Sequence, residues 1–131
     1  NGAKIWDLNI NSIISPIISG NTIFTINKDN YLILIDRDTG QIIYSKNIHL
    51  LIKKDFKKSF QRKINKINYI YLIDSKLLLI SDNSYFVELN IKNIVNINSI
   101  KKNPFNINSD IVFLENEMIF VDNSKRIYKV N

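Results

Sequence analysis

The stretch that decides the fold is LIDRDTGQIIY, residues 34–44, because a weaker copy of its second half, NGAKIW, begins the chain. When the copies are aligned on Gly40 and Gly2, Tyr44 and Trp6 fall at the same position, four residues after each glycine. The two copies are 38 residues apart. Repeats of this length that consist of short strands are typical of propellers and solenoids. The sequence therefore predicts a recurring hairpin rather than a single closed domain.

Two further copies are found when apolar strands, rather than identical letters, are aligned. Landmarks in two successive strands give the same offsets, 54 and then 41 residues. The landmarks are Phe24, Leu78 and Ile119 in one strand, and segments 34–36, 88–90 and 129–131 at the end of the next. The larger offset is explained by residues 49–66, whose composition differs from the rest. This segment is predicted to be an insertion between two repeats.

The repeats predict an all-β fold, a fragment of a β-propeller with about three four-stranded antiparallel blades. Residues 1–10 are assigned to the outer strand of a preceding blade, and residues 12–48 and 67–100 to two blades. Residues 104–131 offer only three strands, so this incomplete blade is predicted to be completed by another strand. Because a repeat buries its apolar face against its neighbours, we expect the end sheets to be covered by self-association or by further polypeptide.

The composition is that of a globular protein, with 45% hydrophobic and 23% charged residues in a chain of 131. There is no cysteine, which excludes disulfides and thiolate metal sites. No apolar run approaches the roughly 20 residues needed to span a bilayer. The chain starts without Met and inside a repeat, so we expect a fragment or a processed form.

Few residues offer the means for catalysis or metal binding. Asp29, Asp36 and Asp38 could form an acidic metal cluster, but each lies in a strand-to-strand turn, where a carboxylate accepts local backbone hydrogen bonds. His49 is the only histidine, and the three glycines are not clustered into a phosphate-binding loop. No Gly-x-Ser-x-Gly motif is present. The sequence therefore predicts neither an enzyme nor a cofactor or metal site.

The two aligned aromatic residues, Trp6 and Tyr44, allow two interpretations. They could line a ligand pocket, or they could pack between adjacent sheets. Their equivalent places in successive repeats favour the packing role.

The insertion carries all of the net charge, because seven basic residues face a single acid, Asp55, between residues 53 and 66. The basic residues are Lys53, Lys54, Lys57, Lys58, Arg62, Lys63 and Lys66. Apolar residues recur every four positions, at Ile52, Phe56, Phe60 and Ile64, which predicts an amphipathic helix of about three turns.

Three kinds of partner could use this basic helix: an anionic membrane surface, an acidic protein or nucleic acid. Nucleic acid is disfavoured, because basic residues elsewhere are balanced by acids and no aromatic platform accompanies the lysines. The alternative to any partner is that the apolar stripe packs on the sheets while the lysines face water.

The first repeat resembles the pyrroloquinoline-quinone-like (PQQ-like) repeat of eight-bladed propellers, whose blade ends in a turn with Asp and Thr-Gly followed by an aromatic residue, usually Trp. The matching residues are segments 23–25 and 31–36 with Thr39, Gly40 and Tyr44, and Gly2, Lys4 and Trp6 from the preceding copy. The resemblance covers residues 1–48 well and residues 67–131 by strand spacing alone. Tyr44 replaces the usual Trp, and the second repeat lacks both Thr-Gly and the aromatic residue.

The resemblance implies a non-catalytic function. Enzymes of this family hold the quinone with a vicinal Cys pair, acidic calcium ligands and a catalytic Asp, whereas this chain has no Cys. The chain is more similar to the C-terminal part of BamB-type lipoproteins, which are scaffolds in the assembly of outer-membrane β-barrel proteins. This implies other proteins as partners and a periplasmic location on the inner face of the outer membrane. The alternative is a fragment of a PQQ-dependent dehydrogenase whose active-site blades lie elsewhere.

Overall fold

The computed structural model describes residues 2–12, 14–56, 58–92 and 95–130. Within these residues it contains three antiparallel sheets and two short helices, so the predicted all-β class is confirmed. The first sheet comprises β1 (Ile17–Ser19), β2 (Thr22–Ile26), β3 (Tyr31–Asp36) and β4 (Ile42–Asn47), and the helices α1 (Ile48–Asp55) and α2 (Lys58–Lys63) follow. The second sheet comprises β5 (Ile67–Ile73), β6 (Lys76–Ser81), β7 (Tyr85–Asn90) and β8 (Asn96–Lys102); the third comprises β9 (Val112–Leu114), β10 (Glu117–Val121) and β11 (Ile127–Val130).

The three sheets share one strand register. The landmark residues chosen from the sequence face each other across the central hairpin of each sheet. The facing pairs are Phe24 with Leu34, Leu78 with Glu88, and Ile119 with Lys129. The pairing of the third and fourth strands also shifts at the same place in the first two sheets, after Leu34 and after Glu88. The sequence offsets of 54 and 41 residues therefore measure a structural repeat.

The turns repeat as well as the strands. In the turn between the second and third strands, one residue of each sheet has a positive φ: Asn30 (62°), Ser84 (64°) and Lys125 (63°). A polar side chain at the start of the same turn accepts backbone N–H groups in every sheet, at Asn27, Ser81 and Asp122. Asn and Asp tolerate such turns because their short side chains bond the local backbone, and here they serve where glycine is scarce.

The sheets stack in chain order, and the second sheet is covered on both faces. Alternate residues of its strands point to opposite sides, as the period of two requires. One face, which includes Ile70, Leu77 and Leu79, joins the core formed with the first sheet and the helices. The other face, which includes Tyr71 and Ile80, joins a smaller core with the third sheet. The predicted dependence of each sheet on its neighbour is visible in these two interfaces.

The first and second sheets lie close at their first strands and diverge toward their last strands. Strand β1 contacts β5 directly. At the opposite side, β4 and β8 both contact α1, which lies between them. The two sheets therefore form a wedge, and the insertion fills its wide end.

Two predicted elements differ from the structure. The basic segment forms two short helices instead of one of three turns, and α1 begins at Ile48 because the Asn47 side chain accepts the His49 N–H as an N-cap. Helix α1 ends where Phe56 adopts an extended backbone. The strand predicted within residues 1–10 is not formed in the described residues 2–10, because no neighbouring strand pairs with them. Residues 93 and 94, predicted as part of a turn and strand, lie outside the described residues.

Candidate protein-binding surfaces

The turn after β3 is closed by the Asp36 carboxylate. Its Oδ1 accepts the backbone N–H groups of Asp38 and Thr39 at 3.0 and 2.9 Å and the Thr39 hydroxyl at 3.0 Å. Its Oδ2 accepts the side-chain amide of Asn21 at 2.9 Å. Hydrogen bonds from the Thr39 backbone and hydroxyl lower the pKa of Asp36. The structure thus gives Asp36 a role in the turn, and within the described residues no three His, Cys, Asp or Glu side chains are grouped to hold a metal.

The lowered pKa of Asp36 predicts a contribution to acid stability. Because the folded carboxyl binds its proton less readily than the unfolded one, its stabilisation is present above about pH 4 and is lost as the pH falls through the lower folded pKa. In Asp36→Asn, which cannot ionise, stability should fall less steeply between about pH 4 and pH 2. Urea unfolding across this range measures the slope. Asp38→Asn is the control, since Asp38 lies at the same turn with its carboxylate 3.7 Å from Arg37 Nε; equal slopes in both variants would contradict the prediction.

Trp6 lies on the same turn. Its indole Nε1 donates to the Arg37 carbonyl at 2.8 Å, and its ring covers Gly40, where a Cβ would lie 2.7 Å from Trp6 Cδ2. Gly40 has φ of 74° and Gly2 has φ of 77°, so the two glycines aligned in the sequence also share a backbone conformation. The structure therefore places Trp6 against the turn that follows β3 of the first sheet.

Gly40→Ala is expected to displace Trp6 and to lower the free energy of unfolding by roughly 2–3 kcal/mol, because a methyl group adds a clash to the strain of positive φ. Gly20→Ala is the matched control, since Gly20 has φ of 58° and no atom within 4 Å of the added Cβ. Trp6 is the only tryptophan, so its fluorescence reports the displacement directly. A red shift in Gly20→Ala as large as in Gly40→Ala would show that the contact is unimportant.

Tyr44 lies between the first and second sheets. It pairs with Leu34 across β3 and β4 and packs against the core that the two sheets share. Its equivalent in the second sheet, opposite Glu88, is Ser99. The aromatic residue thus packs between the first and second sheets, and in the second sheet Ser99 takes its position.

The apolar stripe of the insertion is part of the core. Ile52 and Ile64 are buried, and Phe56 and Phe60 pack against the same cluster. The His49 ring is hydrogen-bonded through Nε2 to the Ile64 carbonyl at 2.7 Å and so connects α1 to the end of α2. The apolar side of the insertion therefore packs against the sheets.

The basic side of the insertion faces solvent. Lys53, Lys54, Arg62 and Lys63 are exposed, and Lys63 Nζ lies 5.6 Å from the Phe60 ring. Lys57 and the side chain of Lys58 lie outside the described residues. We call Lys53, Lys54, Arg62 and Lys63 the basic surface.

Two asparagines hold the insertion to the sheets. Asn30, at the β2–β3 turn, donates through Nδ2 to the Asn65 carbonyl and accepts the Ile67 N–H through Oδ1, both at 3.0 Å. Asn83, at the equivalent turn of the second sheet, donates to the Lys63 carbonyl at 2.5 Å and accepts the Asn65 N–H at 3.2 Å. The Asn83 carbonyl also accepts a hydrogen bond from Lys102. The basic surface therefore has a fixed position on the wedge.

A groove of about 730 Å³ runs along the first strands, where the two larger sheets converge. It is bordered by residues 14–18 on one side and residues 68–72 on the other, and Asp110 also lines it. Strands β1 and β5 are edge strands of their sheets. The groove thus combines two sheet edges with a carboxylate.

Two tyrosines of β5 form part of the groove wall. Their rings stack at 6.4 Å, and Tyr71 accepts the Ile111 N–H at 2.8 Å through its hydroxyl. Burial raises the pKa of both Tyr69 and Tyr71, and the negative charge of Asp110 acts in the same direction. Both phenols are therefore neutral donors and acceptors at ordinary pH.

Neither this groove nor the hydrogen bonds by which Asn30 and Asn83 hold the insertion were predicted from the sequence. The sequence feature that could have indicated the groove is the pair Tyr69 and Tyr71. They alternate with Ile70 along a first strand, so their side chains point to the opposite face of the sheet. For Asn30 and Asn83 the signal was weaker, because asparagine is common in the turns of this chain.

Comparison with known proteins assigns no family. No family model matches the sequence, and no curated protein matches it significantly. In the described part of the chain, no helix has the length and apolar character that a membrane span requires.

Proposed function

We propose that the chain is a segment of a β-propeller and acts as a non-catalytic scaffold that binds other proteins. The observation that carries the proposal is the structural repeat: three sheets share one hairpin register and the same turns. Successive sheets stack face to face, and the first two converge at their first strands. Propeller blades are arranged in this way around an axis.

The assignments of the reactive side chains support a scaffold. The Asp36 carboxylate closes a turn, the His49 ring connects two helices, and the Tyr71 hydroxyl accepts a backbone N–H. These hydrogen bonds give the three side chains structural roles. Among the described residues, the groove and the basic surface are two places that suit a partner.

The groove suits an extended peptide. Edge strands present backbone N–H and C=O groups that can pair with an added strand. Tyr69, Tyr71 and Asp110, which line the groove, add side-chain groups that can form hydrogen bonds. A segment of a partner protein could therefore bind there as an additional strand.

The basic surface favours an acidic protein over a membrane. Binding of a helix to a membrane depends on apolar area inserted between lipids in addition to charge. Here Ile52 and Ile64 are buried in the core, so apart from Leu50 the described side chains that the helices expose are mainly charged or polar. Charge alone steers an acidic partner efficiently. An anionic membrane surface remains the second kind of partner to be tested.

The basic surface gives a prediction of its own. Changing Lys53, Lys54, Arg62 and Lys63 together to Gln should slow association with a polyglutamate peptide tenfold or more at low salt, and the difference should vanish at high salt. The matched control changes Lys28, Lys92, Lys125 and Arg126 to Gln, which removes the same charge from other exposed positions. Vesicles with and without anionic phospholipid test the membrane alternative. Equal association rates for the two variants would contradict the prediction.

The resemblance of residues 1–48 to the PQQ-like repeat supports a narrower proposal. The parent function would be that of a BamB-type factor, which acts with other proteins in outer-membrane protein assembly in the periplasm. The dehydrogenase alternative requires quinone binding. The same repeat is compatible with a dehydrogenase, but no side chain in the described residues points to quinone binding.

Site-specific photo-cross-linking in cells tests the scaffold proposal. We expect adducts to outer-membrane assembly proteins from a photoreactive residue at Tyr69 or Lys54, and few from the exposed control Lys28. Absence of protein adducts at every position would contradict a scaffold. Retention of pyrroloquinoline quinone after gel filtration, seen by its absorbance, would instead support the dehydrogenase alternative.

A further inference from the structure

We propose that the groove between β1 and β5 contains a binding site for an arginine side chain of a partner protein, formed by the Asp110 carboxylate and the Tyr69 ring. This inference rests on the peptide-binding role proposed for the groove and adds the chemistry of its occupant. The groove volume of about 730 Å³ lies within the roughly 300–1,000 Å³ that is typical of ligand sites. The lining residues come from the first strands of the three sheets and from the positions just before them.

Both edges of the groove restrict pairing through the backbone. Pro16, just before β1, has no N–H group to donate. In β5 the register shifts between Ile67 and Tyr69, so Asn68 has no paired residue in β6. Prolines and bulges at sheet edges limit the addition of strands. Side chains are therefore expected to decide which extended segment binds.

The Asp110 carboxylate is the charged group of the groove. The chain has a net charge of +6, yet no Lys or Arg is among the described residues that line the groove. Asp110 is exposed, and within the described part of the chain its carboxylate forms no ion pair and accepts no hydrogen bond. By contrast, the carboxylates of Asp36 and Asp122 accept backbone N–H groups of their own turns. The Asp110 carboxylate is therefore available to a cation.

An aromatic ring borders the groove close to this carboxylate. The Tyr71 hydroxyl accepts the N–H of Ile111, the residue after Asp110, at 2.8 Å. The Tyr69 ring lies nearly parallel to the Tyr71 ring, with an angle of 12° and 6.4 Å between the ring centres. Phe113 contacts the Tyr71 ring at 4.9 Å, whereas Tyr69 has no second ring contact in the described residues. The half-buried Tyr69 thus lines the groove beside an unpaired negative charge.

Arginine is the side chain that uses both groups at once. Its guanidinium presents several N–H groups to a carboxylate, and its planar face stacks on an aromatic ring. Lysine carries a point charge without a planar face. An apolar side chain would leave the carboxylate unused, and an acidic one would be repelled by it.

The expected selectivity is moderate because both groups are partly exposed. Exposed ion pairs and exposed cation–π contacts are each weak. Together they should favour arginine over its uncharged analogue citrulline by about tenfold in Kd, and by about threefold once the carboxylate is removed. The preference should fall at high salt, because salt screens the charge.

Backbone amide NMR shifts of the isotope-labelled chain measure the binding of arginine alone. The probes are N-acetyl-arginine methylamide and N-acetyl-citrulline methylamide. We expect saturable shifts at Tyr69 and Ile111 with millimolar arginine probe, and the preference over citrulline should fall from about tenfold to about threefold in Asp110→Asn. Asp82→Asn is the matched control, since Asp82 is exposed but does not line the groove. The absence of saturable shifts in the groove, or equal preferences in the two variants, would overturn the proposal.

Selection from a phage-displayed library of short random peptides separates this inference from the peptide-binding role. Peptides selected by the chain should be enriched in arginine, and the enrichment should decrease with Asp110→Asn but not with Asp82→Asn. Groove-binding peptides without this enrichment would overturn the arginine site and support the peptide-binding role. Binding of the arginine probe without any selected peptide would support the arginine site and contradict the peptide-binding role.

Discussion

Replacing Asn30 with alanine is expected to lower the free energy of unfolding by about 3–5 kcal/mol, an unusually large effect for a turn residue. Asn30 is only 5% exposed, and its side chain bonds both the Asn65 carbonyl and the Ile67 N–H. Alanine would leave the buried Ile67 N–H without that partner, at about 1–3 kcal/mol, and the part-buried hydrogen bond to the Asn65 carbonyl would also be lost. It would also occupy a left-handed conformation, with φ of 62°, that costs it about 1–2 kcal/mol.

Two further variants separate these causes. Asn30→Gly removes the hydrogen bonds and keeps an easily adopted backbone, so it should recover about 1 kcal/mol of the loss. Lys125→Ala changes the equivalent turn of the third sheet, where φ is 63° and the side chain is exposed, and should change stability by no more than about 0.5 kcal/mol. Urea unfolding of the three variants measures the differences. If Asn30→Ala resembles Lys125→Ala, the bridge to the second sheet contributes nothing.

Ile52→Ala is expected to cost about 2–5 kcal/mol, as for other large-to-small changes in a core. Ile52 is fully buried between the sheets, although it belongs to a segment that interrupts the repeat. The loss of its branched side chain would leave a cavity at the wide end of the wedge. The effect is therefore as large as that of a strand residue.

Leu50→Ala provides the matched control on the same helix. Leu50 is 59% exposed, and its replacement should change the free energy of unfolding by no more than about 0.5 kcal/mol. Denaturant unfolding monitored by Trp6 fluorescence and by circular dichroism should give one coincident transition for each variant. If both substitutions have the same small effect, or the helices unfold first, the insertion is an independent appendage.

The number of strands in each of the three sheets and the register of the hairpins could be predicted from the sequence because they depend on local patterns, whereas the strand predicted within residues 1–10 is not formed in the described residues 2–10. Alternating apolar residues and short polar turns recur at fixed offsets, and the Phe24, Leu78 and Ile119 landmarks lie in equivalent strands. Burial of both faces of the second sheet follows from its strands, which are apolar at successive positions such as Ile70 and Tyr71.

The features that the sequence did not predict depend on contacts between distant residues. Helix α1 begins at Ile48, directly after β4 ends at Asn47, and the cap at Asn47 marks the change from strand to helix. The bridge from Asn30 joins residues 35 and 37 positions away. The groove forms where β1 and β5 meet, and neither strand indicates this meeting by itself. Sequence periodicity describes a sheet, whereas these sites arise between sheets.

The position of α1 between β4 and β8 has a consequence for the curvature of the stack. A spacer at the wide end of a wedge sets the angle between the two layers that it separates. Trimming α1, or enlarging its buried side chains, should change this angle while the hairpins stay intact. The segment that interrupts the sequence repeat thus determines how the first two sheets are inclined to each other.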